Sequence, residues 1–149
     1  MQRMSWMCVA VAVLSAVGAE RKLQLKDLPP AVQKTVEQES RDAVIGKIEK
    51  EREAGVTQYE VETMRNGKHR DFNVDTAGVL LEVEEETDIA TIPAAARAAL
   101  LKQVGDGKLV TVETITKKSG ETSYEAAWTA KGGKKHEFEV SPDGTRARK

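Results

Sequence analysis

Carboxylates are the side chains of this sequence that most readily suggest chemistry. The chain carries 24 Asp and Glu residues against 23 Lys and Arg residues, and acidic residues cluster just beyond its middle: Glu82, Glu84, Glu85, Glu86 and Asp88. Paired carboxylates can act as general acid and base, or they can bind calcium. Glu82 and Glu84 alternate with apolar residues, which is typical of the solvated face of a strand, and the sequence has no Asp-x-Asp-x-Asp-Gly loop. We therefore interpret the cluster as a strand face, with a metal site as the alternative.

Histidine and serine residues offer no second route to catalysis. His69 and His136 are the only histidines, and their spacing implies no third zinc ligand. Ser119, Ser123 and Ser141 all lie outside a Gly-x-Ser-x-Gly motif, which would place a nucleophile on a strand-to-helix turn. The sequence therefore predicts a protein that is not an enzyme, with no catalytic residues, no metal and no cofactor.

The N-terminal segment has the pattern of a secretory signal peptide. Arg3 precedes an apolar run from Met4 to Ala19 that ends in small residues, and Glu20 follows at once. A membrane anchor is the alternative, but the run is shorter than the roughly 20 residues that a spanning helix needs. We expect a signal peptide at residues 1–19 and an exported chain, either periplasmic or secreted.

Composition narrows the function of the mature chain. Cys8 is the only cysteine and lies in the predicted signal peptide, so the mature chain has neither disulfides nor thiolate metal sites. The formal net charge of the whole chain is -1, and both signs are interspersed along it. This balance argues against binding to nucleic acid, which requires a basic face. Apolar burial must therefore stabilise the fold without covalent cross-links.

The mature sequence contains one pattern written twice. Matching segments occur in the same order in both halves: Leu28-Pro29 with Ile92-Pro93, Tyr59-Glu60 with Tyr124-Glu125, and Asp71-Phe72 with Glu137-Phe138. Any one pair could arise by chance, but the ordered series is hard to obtain that way. The sequence therefore predicts a duplication, with repeat 1 at residues 20–88 and repeat 2 at residues 89–149.

Hydrophobic periodicity predicts the same plan in each repeat. A helix with proline in its first turn is followed by strands that alternate between apolar and polar residues. The predicted helices are 29–40 and 93–103, and the predicted strands are 44–52, 56–64, 69–75, 79–84, 109–116, 122–130 and 135–140. The predicted fold class is α+β, as two tandem units in which a helix packs on one face of a three- or four-stranded antiparallel meander. We expect the two sheets to lie edge to edge or to form one continuous sheet.

Five aromatic residues of the mature chain fall on the apolar faces of the predicted strands. We expect them to pack beneath the helices: Tyr59, Phe72, Tyr124, Trp128 and Phe138. Trp128 has an alternative role as an anchor for a partner, because its counterpart in repeat 1 is Thr63 and tryptophan is enriched in interface hot spots.

The pattern resembles the PepSY-like modules of exported bacterial proteins. The residues that carry the resemblance are Leu28-Pro29, Ile48-Glu49-Lys50-Glu51, Tyr59-Glu60-Val61, Phe72-Asn73-Val74-Asp75 and Gly78-Val79-Leu80-Leu81-Glu82-Val83. In architecture the chain also resembles the tandem-repeat β-lactamase inhibitor proteins, in which a helix-backed sheet offers its open face to a protein partner. Because the shared residues are core and turn positions, the resemblance implies a fold more directly than a function.

These observations favour an exported, non-enzymatic binding or regulatory module. We expect it to engage a protein or peptide partner, such as an exported peptidase, through the open face of its sheet. The alternative is a metal-ion or small-ligand binding or sensing protein of the cell envelope. The candidate partner-binding residues are Glu60, Glu62, Asp71, Asn73, Glu125, Trp128, Thr129, Glu137 and Glu139.

Overall fold

A computed structural model describes residues 22–53 and 55–147, with only the backbone of Glu53 described. The predicted signal peptide lies outside these residues. The two helices are α1 (Pro30–Glu39) and α2 (Ala94–Val104), and a 3-10 turn, Leu25–Asp27, precedes α1. The strands are β1 (Val44–Glu53), β2 (Val56–Arg65), β3 (Lys68–Asp75), β4 (Leu80–Glu86), β5 (Lys108–Lys117), β6 (Thr122–Thr129) and β7 (Lys135–Val140). Across the described ranges, neither helix has the length and apolar character needed to cross a membrane.

All seven strands belong to one antiparallel sheet, and they follow one another in chain order from β1 to β7. The prediction of two tandem helix-plus-sheet units was therefore wrong. The expected continuity between the sheets is present, because β4 pairs with β5 in a register that runs from Glu82 opposite Lys117 to Glu86 opposite Glu113. The physical reason lies in the backbone: two separate sheets would each leave a row of unpaired N–H and C=O groups at the edge that β4 and β5 here satisfy mutually.

Both helices pack on the same face of this sheet. Val32 and Val36 of α1 are fully buried, one helical turn apart, against Val61 and Phe72. Leu100 of α2 is fully buried in a second apolar cluster. The other buried members of this cluster are Ile92, Ala96, Val104, Val112, Ala126, Trp128 and Val140. Phe72 pairs with Val83, and Val83 pairs with Thr116 across the β4–β5 junction, so these residues lie on the same face of the sheet. Because side chains alternate along a strand, this register places both clusters under the helices.

The aromatic residues occupy the positions predicted for them beneath the helices. Tyr59 and Phe72 are buried in the α1 cluster, while Tyr124 and Phe138 are partly buried against the α2 cluster. Trp128 is 9% exposed and its ring stacks on His136 with the ring centroids 5.4 Å apart. The alternative role of Trp128 as a partner anchor stays a prediction.

A tight turn fixes α1 against the sheet. Gly78, in the turn between β3 and β4, has a φ of +82°, and a Cβ at this position would lie 2.5 Å from the Ala31 carbonyl oxygen. Thr35 donates a hydrogen bond of 2.6 Å from Oγ1 to the Gly78 carbonyl oxygen. Gly144 makes the corresponding approach to α2, because a Cβ there would lie 2.6 Å from the Ala95 carbonyl oxygen. Only glycine therefore allows both the backbone conformation and the close approach at these turns.

Gly78→Ala should destabilise the protein more than Gly120→Ala does. Both glycines have nearly the same positive φ, +82° and +85°, but no atom lies within 4 Å of a Cβ at Gly120. The backbone strain common to both variants costs about 1 kcal/mol. The steric overlap unique to Gly78→Ala should add about 1–3 kcal/mol. Urea unfolding of the two variants measures this difference, and equal losses of stability would contradict the close packing of this turn on α1.

Candidate functional site

The face of the sheet opposite the helices is the candidate site, and we refer to it as the open face. Its residues follow from the alternation of side chains and from the register of the six strand pairs. From β1 to β7 they are Val44, Lys47, Glu49, Glu51, Val56, Gln58, Glu60, Glu62, Met64, His69, Asp71, Asn73, Asp75, Glu82, Glu84, Glu86, Lys108, Thr111, Glu113, Ile115, Lys117, Ser123, Glu125, Ala127, Thr129, Lys135, Glu137 and Glu139. Carboxylates dominate this set, so a net charge near zero for the chain conceals a strongly acidic surface.

Four glutamates form one row across the open face. Glu86 of β4 lies opposite Glu113 of β5, Glu113 lies opposite Glu125 of β6, and Glu125 lies opposite Glu139 of β7. Residues directly opposite each other on neighbouring strands have Cβ atoms about 4.5–5.5 Å apart, and like charges in such pairs are destabilising. We refer to this arrangement as the glutamate row.

Several of these carboxyl groups are largely removed from water. Glu113 is 4% exposed and Glu125 is 5% exposed, although both lie on the face that carries no helix. Burial, followed by the charges of Asp71, Glu137 and Glu86, raises the pKa of Glu113 to about 7. Burial, followed by the charges of neighbouring glutamates with Glu113 first among them, raises the pKa of Glu84 to about 9. At neutral pH, Glu84 therefore retains its proton and Glu113 is close to half-protonated.

The same causes act towards the β1 side of the open face. Burial, followed by a hydrogen bond shared with Glu51 and by the charges of nearby glutamates, raises the pKa of Glu60 well above its usual range. Burial also raises the pKa of Asp71, although the Thr63 N–H opposes this effect by donating a hydrogen bond of 2.8 Å to Asp71 Oδ1. Several carboxyl groups of the open face therefore stay protonated at pH values at which isolated carboxyl groups are ionised.

Two buried acceptor atoms on the open face have no hydrogen-bond donor among the described residues. They are Oε2 of Glu113 and Oδ1 of Asn73. A buried polar atom without a partner costs about 1–3 kcal/mol, so native structures keep such atoms for identifiable reasons. Both atoms therefore have acceptor capacity that the described part of the chain leaves unused.

Eight of the nine predicted contact residues lie together on the open face. They are Glu60, Glu62, Asp71, Asn73, Glu125, Thr129, Glu137 and Glu139. Trp128 lies on the other face, beneath α2. Sequence reasoning missed Glu84 and Glu113, which face the same side as the predicted residues. Alternation in β4 indicated which face Glu84 occupies, but its burial depends on the β4–β5 pairing, which no local pattern reveals.

The histidines and Ser123, which the sequence offered as possible catalytic or metal-binding residues, make contacts within the fold. His69 is exposed and its backbone N–H donates a hydrogen bond to Glu86 Oε2, while the ring of His136 stacks on Trp128. Ser123 is 2% exposed and donates a hydrogen bond to Glu139 Oε1. Residues 75–78 form the turn between β3 and β4, in which Asp75 Oδ1 accepts hydrogen bonds of 2.9 Å from the Ala77 and Val79 N–H groups.

One group of carboxylates on the open face is close enough to share an ion. Oxygen atoms of Glu49, Glu51 and Glu60 lie within 4.8 Å of one another. Among the described residues, no other three side chains of the types that bind metals come this close together. Lys47 Nζ lies 2.5 Å from Glu49 Oε1, so a cation of the chain itself already neutralises one member.

Comparison with known proteins identifies the fold. No protein-family model matches the sequence, and no curated protein matches it. A protein from Bacteroides eggerthii that is provisionally described as periplasmic shares the fold, with a TM-score of 0.64, 15% identity, and coverage of 81% of this chain and 86% of that chain. A DUF2874 family protein from Bacteroides uniformis is similar with a TM-score of 0.62, 15% identity, and coverage of 80% and 86%.

A third solved structure bears on the resemblance drawn from the sequence. A protein from Bacteroides fragilis described as BLIP-like matches with a TM-score of 0.55 and 19% identity, covering 81% of this chain and 84% of that chain. The likeness in architecture to a BLIP-like protein is therefore supported at the level of the fold. The periplasmic description of the Bacteroides eggerthii protein agrees with the export predicted from the N-terminus. The PepSY-like assignment and the duplication stay predictions.

Stability should fall as pH rises from about 5 to about 9, and Glu84→Gln should reduce this fall. The folded state holds the Glu84 proton up to a pKa of about 9, whereas an unfolded chain releases it near 4.5. The folded state therefore binds more protons between these values, and each increase in pH within this window favours unfolding. Urea unfolding at pH 5 and pH 8 should show that Glu84→Gln gains about 1–3 kcal/mol at pH 8 and little at pH 5.

Glu121→Gln is the matched control for this experiment, because Glu121 is exposed in the turn between β5 and β6, outside the open face. It should leave the pH dependence of the wild-type protein unchanged. If the free energy of unfolding depends on pH in the same way for Glu84→Gln and Glu121→Gln, the inferred rise in the pKa of Glu84 is wrong.

Proposed function

We propose that this protein is an exported, non-enzymatic binding module whose open face engages a protein partner. The observation that carries the proposal is the acidic open face itself, seven strands wide and opposite both helices. Both apolar clusters lie on the helix side, so neither helix covers the polar side chains of the open face. Its polar side chains are fixed by the pairing of the strands, which reduces the entropy lost when a partner binds.

The fold comparisons add support of a general kind. The protein from Bacteroides fragilis is described as BLIP-like, and the chain matches it over most of its length. An inhibitor-like protein acts by binding another protein, so this likeness fits the proposal. Since similar folds host unrelated functions, the composition of the chain's own open face is the main support for the proposal.

Metal binding is the second function considered, and the Glu49, Glu51 and Glu60 group is the observation in its favour. Two features oppose it. Lys47 already pairs with Glu49, and burial together with a hydrogen bond to Glu51 raises the pKa of Glu60, which favours the protonated group over a metal ligand. Protein binding therefore ranks ahead of metal binding.

Loss of charge on the open face should abolish capture of the partner. A variant with Glu60, Glu62, Glu137 and Glu139 changed to Lys reverses charges on β2 and β7. The wild-type protein, used as bait in an exported-protein fraction of its own organism, should retain a defined partner that this variant loses. Mass spectrometry of the retained proteins measures the difference.

The matched control changes the same number of acidic residues outside the open face. Its substitutions are at exposed positions: Glu37, Asp42, Asp106 and Glu121, each changed to Lys. The control should retain the partner, because total charge changes equally in both variants. A partner that both variants retain, or that both lose, would contradict recognition by the open face.

Calcium at millimolar concentration should leave the thermal unfolding midpoint unchanged in both the wild-type protein and Glu60→Gln. The expectation follows from the internal neutralisation of the Glu49, Glu51 and Glu60 group. Differential scanning fluorimetry with and without calcium measures it. An increase in the midpoint that Glu60→Gln removes would place metal binding ahead of protein binding.

A further inference from the structure

Glu113 is the residue of the open face with the strongest unmet requirement for a partner. Its side chain is 4% exposed, and Oε2 accepts no hydrogen bond from the described part of the chain. The register places Glu113 between Glu86 and Glu125 in the glutamate row, on the side away from the helices. An acceptor atom without a donor is therefore held within a group of other carboxyl groups.

The charged groups that act on Glu113 are mainly carboxylates. Asp71, Glu86 and Glu137 act on its carboxyl group electrostatically. The lysines of the open face lie away from the row: Lys47 on the outer strand β1, Lys108 and Lys117 at the two ends of β5, and Lys135 at the start of β7. A cation brought from outside would satisfy Oε2 and relieve repulsion along the row at the same time.

We propose that the open face recognises a basic segment of its protein partner, and that a guanidinium or ammonium group of that segment docks on Glu113 within the glutamate row. This inference rests on the proposed function and gives the partner its chemistry. The partner presents arginine or lysine side chains at the spacing of neighbouring strands, and Glu113 is the central acceptor.

A side-chain cation fits this position better than a metal ion does. Metal ligands must converge on one point, and the carboxyl groups that converge within 4.8 Å in the described residues are those of Glu49, Glu51 and Glu60. The groups around Glu113 instead lie on successive strands of the glutamate row. A guanidinium group has five N–H donors in a planar fork, so it can bridge carboxyl groups that are too far apart for one metal ion.

Binding of a hexa-arginine amide peptide tests the inference in isolation from the natural partner. Isothermal titration calorimetry at pH 7.5 and low salt should detect binding to the wild-type protein. Glu113→Gln should raise the dissociation constant by about tenfold or more, since a hydrogen bond to a charged group contributes about 1.5–3 kcal/mol. Glu62→Gln is the matched control, because it removes one carboxylate from the open face outside the glutamate row, and it should raise the constant less than about threefold.

The outcomes separate this inference from the proposed function. Equal weakening by Glu113→Gln and Glu62→Gln, absence of binding, or equal binding of a hexaglutamate peptide would each overturn the docking of a cation on Glu113. The proposed function would survive these results if the natural partner still depends on the open-face charges. Should Glu113→Gln fail to fold, Glu113→Asp replaces it: the shorter side chain withdraws the carboxyl group from the row, and the same loss of affinity is expected.

Discussion

The antiparallel pairing of β4 with β5 is the interaction on which the rest of this structure depends. It joins the strands that pack under α1 to those that pack under α2, and it satisfies backbone groups that would otherwise form two exposed sheet edges. The same pairing determines the chemistry of the open face. It sets Glu86 against Glu113 and Glu84 against Ile115, so the acidic side chains of β4 and β5 form one surface. Without this register, Glu113 would lie at the border of a smaller sheet and its carboxyl group would be solvated.

The helices and the open face divide the energetic roles of the fold between them. Apolar burial on the helix side, with Val32, Val36, Phe72 and Leu100 almost wholly removed from water, supplies the stabilisation. The turns at Gly78 and Gly144 hold each helix close to the sheet, at distances that no other residue permits. This stability allows the opposite face to carry repulsion between like charges. A sheet face that served only to contact water would gain from alternating charges across strands, which the glutamate row lacks.

Local sequence patterns were sufficient to locate the elements but not to join them. The strand predicted at 135–140 matches β7, and the helix predicted at 93–103 differs from α2 by one residue at each end. These elements follow from hydrophobic alternation and from proline and glycine at their ends. The pairing of β4 with β5 has no such signal, because it depends on which edges meet in three dimensions. That is why Glu62 and Glu137 could be assigned to a polar face, while the burial of Glu84 and Glu113 on the same face could not be foreseen.

The protonation of the open face links stability to recognition. At neutral pH Glu84 keeps its proton and Glu113 is close to half-protonated, because burial and then the charges of neighbouring carboxylates raise both pKa values. A proton offsets this repulsion within the free protein, and a cationic side chain can offset it in a complex by replacing the proton. The same carboxyl groups can therefore be tolerated in the folded chain and still bind a partner strongly. A row of lysines would lose this property, because lysine releases its proton only well above neutral pH unless it is deeply buried. Carboxyl groups with raised pKa values are thus suited to the proposed binding of a positively charged partner, because protonation keeps the free protein stable.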